Sequence, residues 1–261
     1  NRHITDLFSC KLPSDKQAEL SHRYILGVYK LYQKLVDNYP NVLFESCASG
    51  GGRFDLGMMY YAPQAWTSDD TDPIERLKIQ FGTSYGYSLS MMGAHVSAVP
   101  SEQSGRITTM KTRADVAYFG DLGYELDITK LSKEDEQSIK NQIEFYKKYR
   151  SIFQQGCFYR LQSPFEGDYN VGSWQVVSED RTISIAGRYQ ILNRLNPKNE
   201  RIYFMGLDAE KLYTVSGFDE KFYGDELMNV GINIEQTIDP AIKVIGTSDF
   251  KSDLFIIEAV N

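Results

Sequence analysis

Apolar residues in the first part of the chain alternate between helical spacing and short strand-like runs. Helical spacing predicts helices over 16–38, 106–119 and 132–155, and Pro73 opens a further one. Short apolar runs predict buried strands over 42–47, 64–68, 91–99 and 120–126. Strands that alternate with helices along the chain predict a parallel sheet, and therefore an α/β fold class for this part.

The period of the pattern changes after Gly156, where apolar and polar residues begin to alternate and turn residues recur about every ten positions. Candidate strands cover 158–162, 173–177, 182–192, 201–206, 212–215, 230–234 and 254–260. Hairpin turns are predicted at 178–181 and at 196–200. This all-β pattern predicts a second domain over 157–261, an antiparallel β-sandwich, after a first domain over 1–156.

Two polar segments stand out because each ends a strand-like run and leads toward a helix. They are FESCASGGGRFD at 44–55 and WTSDDTDPIER at 66–76. The carboxyl ends of parallel strands meet at one edge of a sheet, so we expect the two segments to lie together. In the second segment, Asp72 as N-cap, Pro73 at the first helical position and Glu75 predict a capping box.

Composition narrows the function classes. There are 28 Lys and Arg against 35 Asp and Glu, with no basic run, so we expect no nucleic-acid partner. The three cysteines are widely spaced, which argues against a disulfide framework and favours a reducing compartment. No signal peptide and no apolar run of membrane-spanning length is evident. We therefore expect a cytoplasmic protein with no membrane partner. Three histidines without zinc-ligand spacing, and a triple glycine without a following Lys-Ser or Lys-Thr, predict neither a metal nor a cofactor.

The acidic cluster in the second segment is open to three interpretations: a magnesium site, a glycosidase carboxylate, or helix capping with solvated acids. Asp72 is assigned to capping, because it immediately precedes the proline that starts the helix. Asp69 directly follows the strand run and is the best candidate for a catalytic acid. Asp70 is a second candidate beside it. His95, at the predicted end of a strand, suits either a pocket position or a hydrogen-bonded structural role.

Together the two segments resemble the core of glycoside hydrolase family 36, the microbial α-galactosidases. The opening NRHITD is similar to the tail of that family's KWDMNR segment, whose catalytic aspartate would fall two residues before Asn1. The resemblance implies the second half of a (β/α)8 TIM barrel, with four of its eight strands, followed by the C-terminal β-domain. It also implies that this chain by itself is inactive.

The resemblance assigns roles to individual residues. The match at Trp66 to Asp69 implies that Asp69 is the general acid/base. The signature C-x-x-G-x-x-R, here Cys47, Gly50 and Arg53, implies that Cys47 and Gly50 lie near the galactose 2-hydroxyl.

Two neighbouring positions differ from the residues that are usual in the resembled family. Ser49 stands where many relatives have the first of four glycines, and Asp70 stands where many have asparagine. A structural role is favoured for Arg53, which we expect to brace its loop by pairing with Asp55 or Glu45.

The implied function is retaining hydrolysis of terminal α-linked galactose from oligosaccharides of the melibiose and raffinose type, by a protein that forms homotetramers. An open half barrel exposes two sheet edges, which favours pairing with another copy or with the missing half. Two other classes stay open: a non-catalytic carbohydrate-binding or structural fragment, and a metal-dependent hydrolase built on the acidic trio.

Overall fold

The computed structural model of the protein describes residues 7–194, 200–234 and 249–260. The NRHITD segment and the predicted turn at 196–200, apart from residue 200, lie outside the described residues.

The first sheet is parallel, and its four strands lie side by side in chain order. They are β1 (Glu45–Ser46), β2 (Gln64–Trp66), β3 (Met92–Ser97) and β4 (Asp121–Glu125). The helices that alternate with them are α1 (Glu19–Asn38), α2 (Leu56–Tyr61), α3 (Pro73–Thr83), α4 (Met110–Ala117) and α5 (Lys133–Gln155). This confirms the predicted order of strands and helices, with α2 as an element that the pattern did not predict.

Several predicted boundaries differ from the observed ones by a few residues, and two of these differences have clear physical reasons. Strand β1 is shorter than 42–47, because its pairing with β2 begins only at Glu45, and Leu43 before it is exposed to solvent. Helix α4 begins at Met110 rather than at 106, because Thr109 is its N-cap and accepts a hydrogen bond from the Thr112 amide. The residues before Thr109 therefore belong to a long loop after β3.

The start of α3 is capped as predicted by Asp72, whose Oδ1 accepts from the Ile74 amide at 2.8 Å, with proline at the first helical position. The predicted capping box with Glu75 is wrong. The Asp72 amide donates instead to Asp70 Oδ1 at 3.0 Å, and Glu75 is paired with Arg106 at 3.4 Å.

The strands after α5 are antiparallel. They are β5 (Cys157–Gln162), β6 (Val171–Val177), β7 (Ile183–Gln190), β8 (Glu200–Ile202), β9 (Leu212–Val215), β10 (Lys221–Tyr223), β11 (Ile232–Ile234) and β12 (Lys251–Ala259). Six of them form one sheet in the order β10-β9-β12-β7-β6-β5, and β8 and β11 form a separate two-stranded sheet. Helix α6 (Gly224–Asn229) follows β10, and neither of these two was predicted. The predicted fold class, a partial barrel followed by an antiparallel β-domain, is confirmed.

The six-stranded sheet is covered on both faces. On one face Trp174 packs against Phe119, at the end of α4, with ring centroids 5.5 Å apart. On the other face Ala186 and Ile257 pack with Ile202 of the two-stranded sheet. Strand β6 is consequently buried at every position instead of alternating. The boundary between 156 and 157 stays a prediction, and it coincides with the change from parallel to antiparallel strands.

Within the part of the chain that the structure describes, no helix is both long enough and apolar enough to cross a membrane.

Candidate active site

The loops that follow β1 and β2 touch at one edge of the parallel sheet. A Cβ atom added to Gly50 would lie 2.6 Å from Ser68 Cα and 2.8 Å from the Asp69 amide nitrogen. A Cβ atom on Gly51 would lie 2.6 Å from the Thr67 carbonyl oxygen. Gly50 also has a φ of +71°, in the left-handed region that favours glycine. Glycine is therefore required for the close contact between the two loops.

Asp69 lies at the exposed tip of the second loop. Its backbone carbonyl accepts a hydrogen bond from Gln103 Nε2 at 2.9 Å. Among the described residues its carboxylate has no hydrogen bond or ion pair, so it is available to a bound ligand. A carboxyl group that is held through its backbone and free at its side chain suits proton transfer.

The neighbouring aspartates have structural partners. Asp70 Oδ1 accepts from the Asp72 amide, and the Asp70 amide donates to Ser68 Oγ at 3.1 Å. Asp72 is fully buried and forms an ion pair with Arg106, with Oδ1 and Nη1 2.6 Å apart. The described residues contain no group of three or more His, Cys, Asp or Glu side chains that could hold a metal ion. Of the three aspartates, Asp69 thus has a free carboxylate, whereas the carboxylates of Asp70 and Asp72 stabilise the loop.

Cys47 follows the end of β1 and is half-buried, with a free thiol. Arg53 holds the loop closed, because its Nη2 donates to the Cys47 carbonyl at 2.9 Å and its Nη1 donates to the Tyr24 hydroxyl at 3.0 Å. Ser49 is exposed at the tip of this loop, with a φ of +49°. The loop thus takes the left-handed conformation at two successive residues, Ser49 and Gly50.

The predicted partners of Arg53 are wrong. Asp55 instead caps α2 and accepts a hydrogen bond from the Tyr29 hydroxyl at 2.6 Å. That hydrogen bond, with burial and the nearby negative charge, raises the pKa of Tyr29 to about 12. Glu45 accepts from Gln64 Nε2 at 2.9 Å. Arg53 braces its loop through a backbone carbonyl and a tyrosine of α1 rather than through a carboxylate.

His95 does not lie at the end of its strand, because β3 continues to Ser97. Its ring packs against Trp66 at a tilt, with ring centroids 4.3 Å apart, and it covers Gly123. His95 Nδ1 lies 3.3 Å from Glu125 Oε2. These contacts hold His95 between β2 and β4, and its place in the site stays a prediction.

Comparison with known proteins identifies the family. The model of the family described as melibiase matches residues 1–156, and the model of the glycosyl hydrolase family 36 C-terminal domain matches residues 171–257. The chain belongs to glycoside hydrolase family 36. The resemblance carried by the two sequence segments is thereby confirmed.

Family 36 relatives match along the whole chain. α-Galactosidase AgaA of Geobacillus stearothermophilus is 46% identical over 260 residues, 100% of this chain and 34% of its own length. α-Galactosidase Mel36A of Lactobacillus acidophilus is 44% identical over 261 residues, again 100% of this chain and 34% of its own length. The chain therefore spans about a third of the length of these relatives.

Solved family 36 structures share the fold. The α-galactosidase from Lactobacillus brevis is 59% identical, with a TM-score of 0.90 over 98% of this chain and 34% of that one. A variant of AgaA from Geobacillus stearothermophilus in complex with raffinose is 44% identical, with a TM-score of 0.87 over 98% of this chain and 34% of that one.

The loop after β3 contains polar residues that the sequence pattern did not single out for the site. The loop after β3 supplies Gln103 to the Asp69 carbonyl, and it supplies Ser104 and Arg106 to the Asp72 carboxylate. These polar residues lie in a loop that has no hydrophobic periodicity. The one feature of the sequence that could have pointed to them is their position after a strand of the parallel sheet. The loop after β3 supports the loop that carries Asp69.

Proposed function

We propose that the full-length protein that contains this chain is a retaining α-galactosidase. It removes terminal α-linked galactose from oligosaccharides of the melibiose and raffinose type, and Asp69 is its general acid/base. The observation that carries the proposal is the close contact of Gly50 with Ser68 and Asp69, because it places a free carboxylate beside the loop of the C-x-x-G-x-x-R signature. Relatives named α-galactosidases, one of them solved with raffinose, support the substrate class.

The mechanism assigns two steps to Asp69. A second carboxylate, supplied from outside the described residues, attacks the anomeric carbon while the Asp69 carboxyl donates its proton to the departing oxygen. The Asp69 carboxylate then takes a proton from the water that releases galactose with retained configuration. Asp69 suits both steps because its carboxylate is exposed and has no partner among the described residues, while Asp70 and Asp72 are engaged in the loop.

Cys47 and Gly50 form the part of the site that faces the sugar 2-position in this proposal. The half-buried thiol of Cys47 occupies space that an acetamido group would need, and Arg53 fixes its backbone. Ser49, at the exposed tip, borders the same loop. This arrangement favours galactosides over N-acetylgalactosaminides.

We further propose a cytoplasmic homotetramer. Cys10, Cys47 and Cys157 are all free, which fits a reducing compartment. Within the described residues, β1 and β4 each pair on one side only, which leaves two sheet edges for other parts of the protein or for another copy. Light scattering of the full-length protein after size-exclusion chromatography tests the tetramer, and a monomer would contradict it.

The catalytic proposal is tested by following raffinose hydrolysis by the full-length protein with NMR, with an aryl β-galactoside as the negative control. We expect α-galactose to form first and to mutarotate later. Release of the β-anomer first would contradict the retaining mechanism. Binding of raffinose without turnover would favour the carbohydrate-binding alternative, and loss of turnover with a chelator would favour the metal-dependent one.

A further inference from the structure

Arg76, on α3, is buried and makes three hydrogen bonds to neutral acceptors. Its exposed fraction is 2%. Nη1 donates to Thr67 Oγ1 at 2.8 Å, Nη2 to the Gly93 carbonyl at 2.5 Å, and Nε to Gln80 Oε1 at 3.1 Å. Burial lowers the pKa of Arg76 to about 10, which still leaves the side chain charged at neutral pH.

The guanidinium of Arg76 has no ion-pair partner among the described residues, whereas the buried Arg188 is paired with two carboxylates. The buried Arg113 likewise has no ion pair there and donates to backbone carbonyls. Burial of the Arg76 cation is unfavourable, and its neutral acceptors and the nearby charges of Asp70 and Glu125 recover only part of the lost hydration. The role of Arg76 therefore depends on which parts of the fold its three acceptors connect.

One acceptor of Arg76, Thr67, lies where the two loops of the candidate site touch. Thr67 begins the segment that leads, two residues later, to Asp69, and its carbonyl oxygen is the atom against which Gly51 packs. Gly93 belongs to β3, the next strand of the sheet. The guanidinium carbon also lies 5.1 Å from the centroid of the Trp66 ring. One side chain thus joins the end of β2, strand β3 and helix α3.

We infer that Arg76 is a positioning residue for Asp69, an inference that rests on the proposed α-galactosidase function. Arg76 does not reach the substrate. Its planar fork fixes the Thr67 hydroxyl relative to β3, and so fixes the start of the loop on which Asp69 and the contact with Gly50 depend. Lysine cannot replace it, because an ammonium group has no planar arrangement of donors to match three separated acceptors.

The experiment compares Arg76→Met and Arg76→Lys with the wild-type full-length protein on two substrates. Raffinose has a poor leaving group and needs the Asp69 proton, whereas an aryl α-galactoside with an activated leaving group hardly needs it in the step that kcat/KM reports. We expect kcat/KM for raffinose to fall on the order of 10²-fold in both variants, as for a catalytic group misplaced by about 1 Å. We expect kcat/KM for the activated substrate to fall much less, and KM for raffinose to stay close to the wild-type value.

Arg188→Met is the matched control, because Arg188 is also a buried arginine but lies in the β-domain. It should lower the melting temperature and leave the ratio of the two kcat/KM values unchanged. Thr67→Val removes the acceptor without removing the cation. It should change the ratio in the same direction, and the double variant should be no worse than Arg76→Met, since both changes break one link. Thr67→Val also carries the test if Arg76→Met does not fold.

Equal losses on both substrates in Arg76→Met and Thr67→Val would overturn the inference and leave Arg76 a purely structural residue. Wild-type activity in Arg76→Lys would overturn it as well, because charge alone would then suffice. Failure of the proposed function looks different: the wild-type protein would then hydrolyse neither substrate, and the inference would fall with it.

Discussion

Gly50→Ala in the full-length protein tests whether contact between the two loops positions Asp69. The new Cβ atom would lie 2.6 Å from Ser68 Cα and 2.8 Å from the Asp69 amide nitrogen, roughly 1 Å inside the 3.4–4 Å of ordinary contact. Both neighbours are backbone atoms, so no side chain can rotate away. The two loops must separate, and Asp69 must move with them.

A shift of about 1 Å in a catalytic group costs on the order of 10²-fold in rate. The alanine also meets the positive φ of Gly50, which destabilises the folded state by about 1–2 kcal/mol. Gly167→Ala separates the two effects, because Gly167 has a φ of +65° and no atom within 4 Å of its Cβ position. Gly167→Ala therefore introduces the same backbone strain as Gly50→Ala but no steric clash.

The assay is kcat/KM on raffinose for both variants, together with thermal unfolding. We expect both melting temperatures to fall and only Gly50→Ala to lose activity. If Gly50→Ala kept an activity close to that of Gly167→Ala, the two loops would not be coupled in the way that their contact distances indicate. The proposed role of Gly50 would then be limited to the sugar contact.

Other predictions concern Cys47, Asp72 and Asp121. Cys47→Ala should raise activity on N-acetylgalactosaminides relative to galactosides with little change in melting temperature, and an unchanged ratio would leave Cys47 a structural residue. Asp72→Asn can still cap α3 but leaves Arg106 with Glu75 as its one ion-pair partner among the described residues, so the free energy of unfolding, measured in urea, should fall by about 1.5–3 kcal/mol. Burial, more than the nearby Glu45, raises the pKa of Asp121 to about 6. Asp121 therefore binds its proton more tightly when folded, and its contribution to stability falls as pH rises from about 4 to about 6. Asp121→Asn should flatten that dependence by roughly 1 kcal/mol after solvent screening, as measured by urea unfolding between pH 4 and pH 7.

Features that depend on local signals could be predicted from the sequence. Asp72 caps α3, because a capping side chain reaches an amide only two or three residues ahead. The two loops meet at one edge of the sheet, because the direction of parallel strands places their carboxyl ends together. Membership of family 36 followed from segments with a specific spacing.

Features that depend on tertiary contacts could not be predicted. Arg53 had two acidic neighbours in sequence, yet its partners are the Cys47 carbonyl and Tyr24, which lies 29 residues away. Gln103 reaches the Asp69 carbonyl across 34 residues. Helix α2 has only six residues, too few for a helical period to be recognised.

The central claim, that Asp69 is the general acid/base of a retaining α-galactosidase, is tested most directly by Asp69→Asn in the full-length protein with and without azide. We expect raffinose turnover to fall by about 10²- to 10⁴-fold. With an activated aryl α-galactoside, a covalent galactosyl-enzyme should accumulate, and azide, which needs no base, should accelerate turnover and yield α-galactosyl azide. Normal turnover of raffinose, or no azide product from the activated substrate, would contradict the assignment of Asp69.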